Sequence, residues 1–364
     1  MAAALLWGLA QCSLAGCRAT GSEQEPAPAS QQAATAVPGA ALTTVSAALR
    51  MGPSSVAPVG ATDAGAPPLV RVSELAAAVP PDACSPTMAY IPGGDFWMGS
   101  PRLRSVRDEL PRFFTRVASF CLDTYEVTSA SYAQCVEHGQ CSEPHGTQET
   151  CNYGRREDHP VNCVDWQQAD AYCKSQGSRL PTELEWEYAA RGGEHYYPYA
   201  WGGEPPDART CWKANQSCPV GSYPPGAFGV RDLSGNVWEW THDWYGEYPW
   251  PKLDGRAKVF RGGGWSRRRE SSLSTTLRGR TQPRNWGSHL GFRCARLAQG
   301  AECPFGPGDE PGLCRQGVLD AECADGQSFN GQRCAPAGAP VCPPGQEPSP
   351  GHGCVRRGGA PAGL

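Results

Sequence analysis

Asp232 and Glu239 are two carboxylates flanking the run Leu233-Ser234-Gly235-Asn236-Val237-Trp238. A turn at Gly235 leaves main-chain carbonyls uncommitted. If the chain then extends, Trp238 and Trp240 lie on one face and Val237 and Glu239 on the other, so the indoles pack inward and Glu239 faces the opposite side. Carboxylates and free carbonyls together form the hard-oxygen surroundings that calcium prefers, at about 2.3–2.6 Å. The competing reading makes Asp232 a turn cap and Glu239 an acceptor for nearby amides.

A second group capable of chemistry is Arg267, Arg268 and Arg269, with Trp265 and Trp286 near in sequence. Guanidinium forks grip carboxylate, sulfate or phosphate through two parallel hydrogen bonds and also stack on aromatic faces. The cluster suits an acidic peptide, a sulfated or acidic glycan, or a lipid phosphate; the alternative is a solvated ion-pair surface. The 18 cysteines are irregularly spaced and lack the paired C-x-x-C knuckles of zinc modules. They read as disulfides, which require an oxidising compartment. The 7 histidines include no pair four apart, so no helical metal-binding pair is present in the sequence. A net charge of -4 gives no electrostatic case for nucleic acid.

These residues need elements to position them. Every Tyr and all but one of the 12 Trp lie between Tyr90 and Trp286, so the packed domain is there. It opens with two short apolar runs, Met88 to Ile91 and Phe96 to Met98, split by Pro92-Gly93-Gly94, which predicts a hairpin. Capping chemistry predicts three helices. Thr128 precedes the first, which stops at Gly139; Asp165 with Gln168 opens the second, which stops at Gly177; Thr182 with Glu185 opens the third, which stops at Gly192. Trp166, Ala169 and Cys173 share one face of the second. From Gly192 to Arg296 the chain is broken by Gly and Pro, which predicts loop-dominated structure that disulfides or a cation must pin.

Outside the domain the composition changes. Residues 18–83 are largely Ala, Pro, Ser, Thr and Gln without one aromatic, which predicts a disordered tether. Residues 299–364 hold six cysteines and two Phe, which predicts a small tail held by disulfides or not held at all. At the start, apolar Ala2 to Ala10 is too short to span a bilayer and precedes Leu14-Ala15-Gly16-Cys17. This resembles a bacterial lipoprotein signal over residues 1–17, although it lacks the usual basic residue before the apolar run. The resemblance implies lipidation of Cys17 and export to the outer membrane, on its periplasmic or surface face.

Several segments together resemble the formylglycine-generating (sulfatase-modifying-factor) superfamily: Ile91-Pro92-Gly93-Gly94 with Met98-Gly99, Tyr125-Glu126-Val127-Thr128, His159-Pro160-Val161-Asn162, and Arg179-Leu180-Pro181-Thr182-Glu183-Leu184-Glu185-Trp186-Glu187. Gly235-Asn236-Val237-Trp238-Glu239-Trp240, Arg261-Gly262-Gly263-Gly264-Trp265 and Leu290-Gly291-Phe292-Arg293-Cys294 complete the set. The resemblance implies an α+β, irregular, loop-rich domain over 84–298, a variant of the C-type lectin fold with a groove for an extended peptide. It implies calcium held by the side chains of Asp232 and Glu239 and the carbonyls of Gly235 and Val237. It also implies a disulfide between Cys173 and Cys294. By proximity alone, Cys135 pairs with Cys141, Cys151 with Cys163 and Cys211 with Cys218, leaving Cys84 with Cys121.

The family's oxidation of a substrate cysteine uses two cysteines that bind copper and form a mixed disulfide with substrate. Counted from Arg261, those positions are Arg267 and Ser272, and no cysteine stands between Cys218 and Cys294. The expectation is a pseudoenzyme without copper, binding a peptide or glycan in a groove at Trp265, Arg267, Arg268 and Trp286. The alternative is an oxidoreductase of the same superfamily using a non-standard metal site.

Overall fold

The computed structural model describes residues 83–101, 107–249 and 255–330, and strands at 334–336, 346–349 and 353–356. The chain divides into Met1–Pro67 and Pro68–Leu364, and every described residue belongs to the second unit. The N-terminal apolar run, Cys17 and the Ala/Pro-rich stretch as far as 82 lie outside the described residues.

Local signals in the sequence give three helices, α1 (Ser129–Glu137), α2 (Trp166–Ser175) and α3 (Glu183–Ala190). The Thr128 hydroxyl accepts from the Ser131 amide, and both capping boxes, Asp165 with Gln168 and Thr182 with Glu185, are closed. Each cap satisfies amides that the first turn cannot bond internally. All three helices stop where glycine takes a positive φ, at Gly139, Gly177 and Gly192.

The first two strands, β1 (Met88–Ile91) and β2 (Gly94–Met98), do not form the predicted hairpin. β1 pairs with β4 (Phe120–Asp123) and β2 with β3 (Phe113–Val117), in antiparallel register from Met88 opposite Asp123 to Met98 opposite Phe113. Pro92-Gly93 is therefore a corner that passes the chain from one sheet to the next, facing a matching corner at Ala118-Ser119. A Cβ on Gly93 would stand 2.5 Å from the Val117 carbonyl oxygen, so only glycine fits where the corners touch.

β9 (Ala295–Leu297) completes the sheet β1-β4-β9. The loop-rich second half holds a four-stranded sheet ordered β7-β6-β5-β8, from β5 (Trp238–Trp244), β6 (Lys258–Arg261), β7 (Arg278–Thr281) and β8 (Leu290–Gly291). β5 and β8 run parallel, with Glu239 opposite Gly291. Trp238 and Trp240 share one face of β5 and meet Phe260 edge-on at 5.0 and 5.8 Å, as strand alternation predicts.

All eight residues of α3 are buried, its three glutamates included. Each glutamate meets arginine: Glu183 accepts from Arg278 Nε at 2.6 Å and Nη2 at 2.8 Å, Glu185 from Arg179 at 2.6 and 2.7 Å, and Glu187 from Arg191 at 2.8 Å and from Arg261. Such pairing is what lets charge remain inside a core. Five disulfides brace the domain: Cys84–Cys121, Cys135–Cys141, Cys151–Cys163, Cys173–Cys294 and Cys211–Cys218.

The cysteine-rich segment after Ala298 is held by more than its disulfides, Cys303–Cys314 and Cys323–Cys334. Strand β10 (Asp320–Ala321) joins the edge of β3 to give a sheet ordered β10-β3-β2. Thr115 donates to the Gly317 carbonyl at 2.6 Å, Arg179 to Gly312 at 2.7 Å, and Val318 and Phe329 pack against the core of the domain. The segment borrows a core that its own composition cannot supply. Strands β11 (Gln327–Phe329), β12 (Cys334–Pro336), β13 (Gln346–Ser349) and β14 (Gly353–Arg356) follow as two antiparallel pairs.

Candidate functional site

The loop before β5 is shaped by three left-handed residues, Asp232, Gly235 and Asn236. Gly235 has φ +105°, and a Cβ there would strike the Thr210 hydroxyl. Asn236 fastens the loop: its amide donates to the Cys211 carbonyl at 2.9 Å, its carbonyl accepts from Trp265 at 2.6 Å, and its side chain accepts from the Cys218 amide at 3.0 Å. Its Nδ2 donates to Glu126 Oε2 at 3.2 Å.

Glu239 is fully buried and already has partners. Arg293 donates Nε and Nη2 to its two oxygens at 2.7 Å each, and the Trp186 indole adds 2.8 Å. Asp232 accepts from the Gly221 amide at 2.6 Å. Burial pushes the Glu126 carboxyl well above the usual range and the Asp232 charge pushes it further; burial likewise raises Asp232. Among the described residues, the carbonyls of Gly235 and Val237 accept no hydrogen bond. The carboxyls of Glu126, Asp232 and Glu239 thus feel one another's charge, with Arg293 as the counter-charge, although among the described residues no three His, Cys, Asp or Glu side chains stand close enough together to hold a metal ion.

The second group is split. Trp265 donates from Nε1 to the Ser288 carbonyl at 3.1 Å. Arg267 places its guanidinium 5.1 Å from the Trp238 ring centroid and, after burial, is the second cause holding the His289 imidazole below its ordinary pKa. Trp286, 38% exposed, stacks on His145 at 6.0 Å. Trp265, Arg267 and Trp286 thus border the segment Trp286 to His289. Arg268 instead donates to the Lys213 carbonyl at 2.9 Å, on the loop closed by Cys211–Cys218. Ser272 lies in a short 3-10 turn, Glu270–Leu273, its amide bonded to the Arg269 carbonyl at 3.0 Å. No carboxylate lies within 4 Å of Arg267, Arg268 or Arg269 among the described residues.

Residues 75–298, more than half of the chain, match the model of the sulfatase-modifying factor enzyme 1-like domain. The chain belongs to this family. One relative is the serine/threonine-protein kinase pkn1 of Chlamydia pneumoniae, 34% identical over 241 residues, covering 57% of this chain and 38% of the kinase. Another is the inactive C-alpha-formylglycine-generating enzyme 2 of Bos taurus, 39% identical over 155 residues, covering 37% of this chain and 50% of that protein. The chain thus spans half or less of each. Among solved structures, PvdO from Pseudomonas aeruginosa is 28% identical with a TM-score of 0.51, covering 58% of this chain and 94% of PvdO.

This sulfatase-modifying-factor domain carries the family's α+β, loop-rich fold, and its disulfides mark an oxidising, exported setting. Sequence reasoning missed Glu126 and Arg293, although both stand inside quoted motifs, Tyr125-Glu126-Val127-Thr128 and Leu290-Gly291-Phe292-Arg293-Cys294. A charged residue inside an otherwise apolar motif was the available signal.

Proposed function

We propose that this family member is a binding protein, anchored to the outer membrane through a lipidated Cys17. In this proposal the surface bordered by Trp265, Arg267 and Trp286, with Arg268 set apart on the loop closed by Cys211–Cys218, holds an acidic peptide or glycan, and the protein does not oxidise a substrate cysteine. One observation supports this reading: Arg267, which counting from Arg261 puts where the family's chemistry needs a copper-binding cysteine, lies against the Trp238 ring. A guanidinium repels a copper ion and does not ligate it. All ten cysteines of the domain are in disulfides, so none offers the thiolate that exchange with a substrate cysteine requires.

Calcium at the loop before β5 completes the proposal. Asp232 and the unbonded carbonyls of Gly235 and Val237 are hard-oxygen donors, and Glu239 would share its carboxylate between the ion and Arg293. The ion would brace the loop from which β5 and Trp238 emerge. Metal analysis of the purified protein after chelation and calcium reloading tests the reading. Calcium alone is the expected result; tightly held stoichiometric copper or iron would overturn it in favour of an oxidoreductase with a non-standard metal site.

A further inference from the structure

At Trp286, beside the proposed groove, a pocket of about 410 Å³ opens, lined by Phe260, Arg280, Thr281, Arg284, Trp286 and His289. This is a small-molecule dimension, at the lower end of the ~300–1,000 Å³ usual for ligand sites. Its charge is of one sign. No acidic residue lines it, and neither Arg280 nor Arg284 has an ion-pair partner among the described residues. Arginines held together without counter-charge repel one another, and a bound anion removes that repulsion.

The walls are held in place before any ligand arrives. The Arg280 guanidinium rests 4.2 Å from the Tyr245 ring centroid. Trp286 is stacked on His145, whose Nε2 is 2.9 Å from Asp165 Oδ2, so one indole face is covered while the residue remains exposed beside the pocket. Asn285 donates to the Thr281 hydroxyl at 2.6 Å, fixing the turn that carries Arg284. His289, whose protonated form is disfavoured by burial and then by Arg267, lines the same pocket.

We infer that this pocket takes an anionic sugar residue, its sulfate or carboxylate gripped by Arg280 and Arg284 and its ring laid against Trp286. The inference rests on reading the neighbouring groove as a binding site. An extended acidic peptide spaces its side chains about 3.3 Å apart per residue and alternates them across the strand, so it calls for arginines in line. Here two arginines converge on one cavity with an aromatic wall, a hydroxyl and an imidazole, which matches a ring bearing an anion and hydroxyl groups.

The test is calorimetric titration of the full-length protein with four hexamers: chondroitin sulfate, hyaluronan, a neutral cello-oligosaccharide and hexaglutamate. One or both anionic sugars should bind, more weakly as salt rises, with the neutral sugar and hexaglutamate weaker by at least about tenfold. Sulfate is the recognised group if only chondroitin sulfate binds, carboxylate if hyaluronan binds as well. The double variant Arg280→Ala/Arg284→Ala, at unchanged melting temperature, should lose at least about tenfold in affinity, and Trp286→Ala should do likewise. Undiminished sugar binding in the double variant overturns the pocket; if Arg267→Ala then abolishes binding, the groove reading survives alone. Hexaglutamate binding more tightly than either anionic sugar overturns the sugar assignment, and binding of none of the four overturns the pocket outright.

Discussion

Glu239 and Arg293 are fully buried and bound to each other through both carboxylate oxygens. Removing one charge of such a pair leaves the other buried and uncompensated, a loss of about 3–5 kcal/mol. Glu239→Gln should lower unfolding stability by that order in urea and abolish the stabilisation gained from calcium; a calcium response equal to the parent's would exclude Glu239 from the site. Asp232→Asn provides the milder variant, with the calcium response lost and Arg293 still paired. Asp123 supplies a test by pH. Burial raises its carboxyl to about 6, while Oδ2 accepts from the Cys294 amide at 2.8 Å. Because the folded value is above the unfolded one, its contribution is complete below about pH 4 and is lost as pH rises through 6, on the order of 2–3 kcal/mol in total. Asp123→Asn should therefore gain on the parent in urea-unfolding free energy between pH 4 and 7, and a constant difference would contradict the raised value. At this scale the placement of Glu239 opposite Trp238 and Trp240 was legible, since strand alternation is local. Its pairing with Arg293, 54 residues away, was not.

Among elements, the same divide between local and distant holds. The caps at Thr128, Asp165 and Thr182 are bonds to a residue three positions on, and all three helices were readable from them. The Pro92-Gly93-Gly94 turn was misread because a hairpin and a corner use the same residues; the choice depends on β3 and β4, which arrive some twenty residues later. The docking of β10 on β3 was invisible for the same reason. Cys173–Cys294 ties α2 to the residue before β9 across a sequence separation of 121, whereas Cys135–Cys141 closes only 6. Loop-closure entropy makes the first worth about 5 kcal/mol and the second about 2 kcal/mol. Cys173→Ser/Cys294→Ser should lower the urea midpoint far more than Cys135→Ser/Cys141→Ser; equal losses would mean that both act only through local packing.

For the whole molecule, the disulfides and the family domain mark an exported protein, and the proposed lipid anchor at Cys17 has a direct test. Cys17→Ser should abolish incorporation of radiolabelled fatty acid in a bacterial host, and persistent labelling would refute the anchor. The segment after Ala298 shares the domain's core through Val318 and Phe329. Truncation there should expose Phe113 and Phe114 and lower the melting temperature. The central proposal is that the fold has been kept while the family's chemistry has been lost, Arg267 and Ser272 being the residues that counting from Arg261 puts at the two thiolate positions. Its most direct test is to incubate the full-length protein with copper, oxygen, a reductant and a peptide containing Cys-x-Pro-x-Arg, alongside an active formylglycine-generating enzyme, and to weigh the peptide. An unchanged peptide mass, with conversion in the control, is the predicted result. Conversion of the cysteine to formylglycine by this protein would contradict the account.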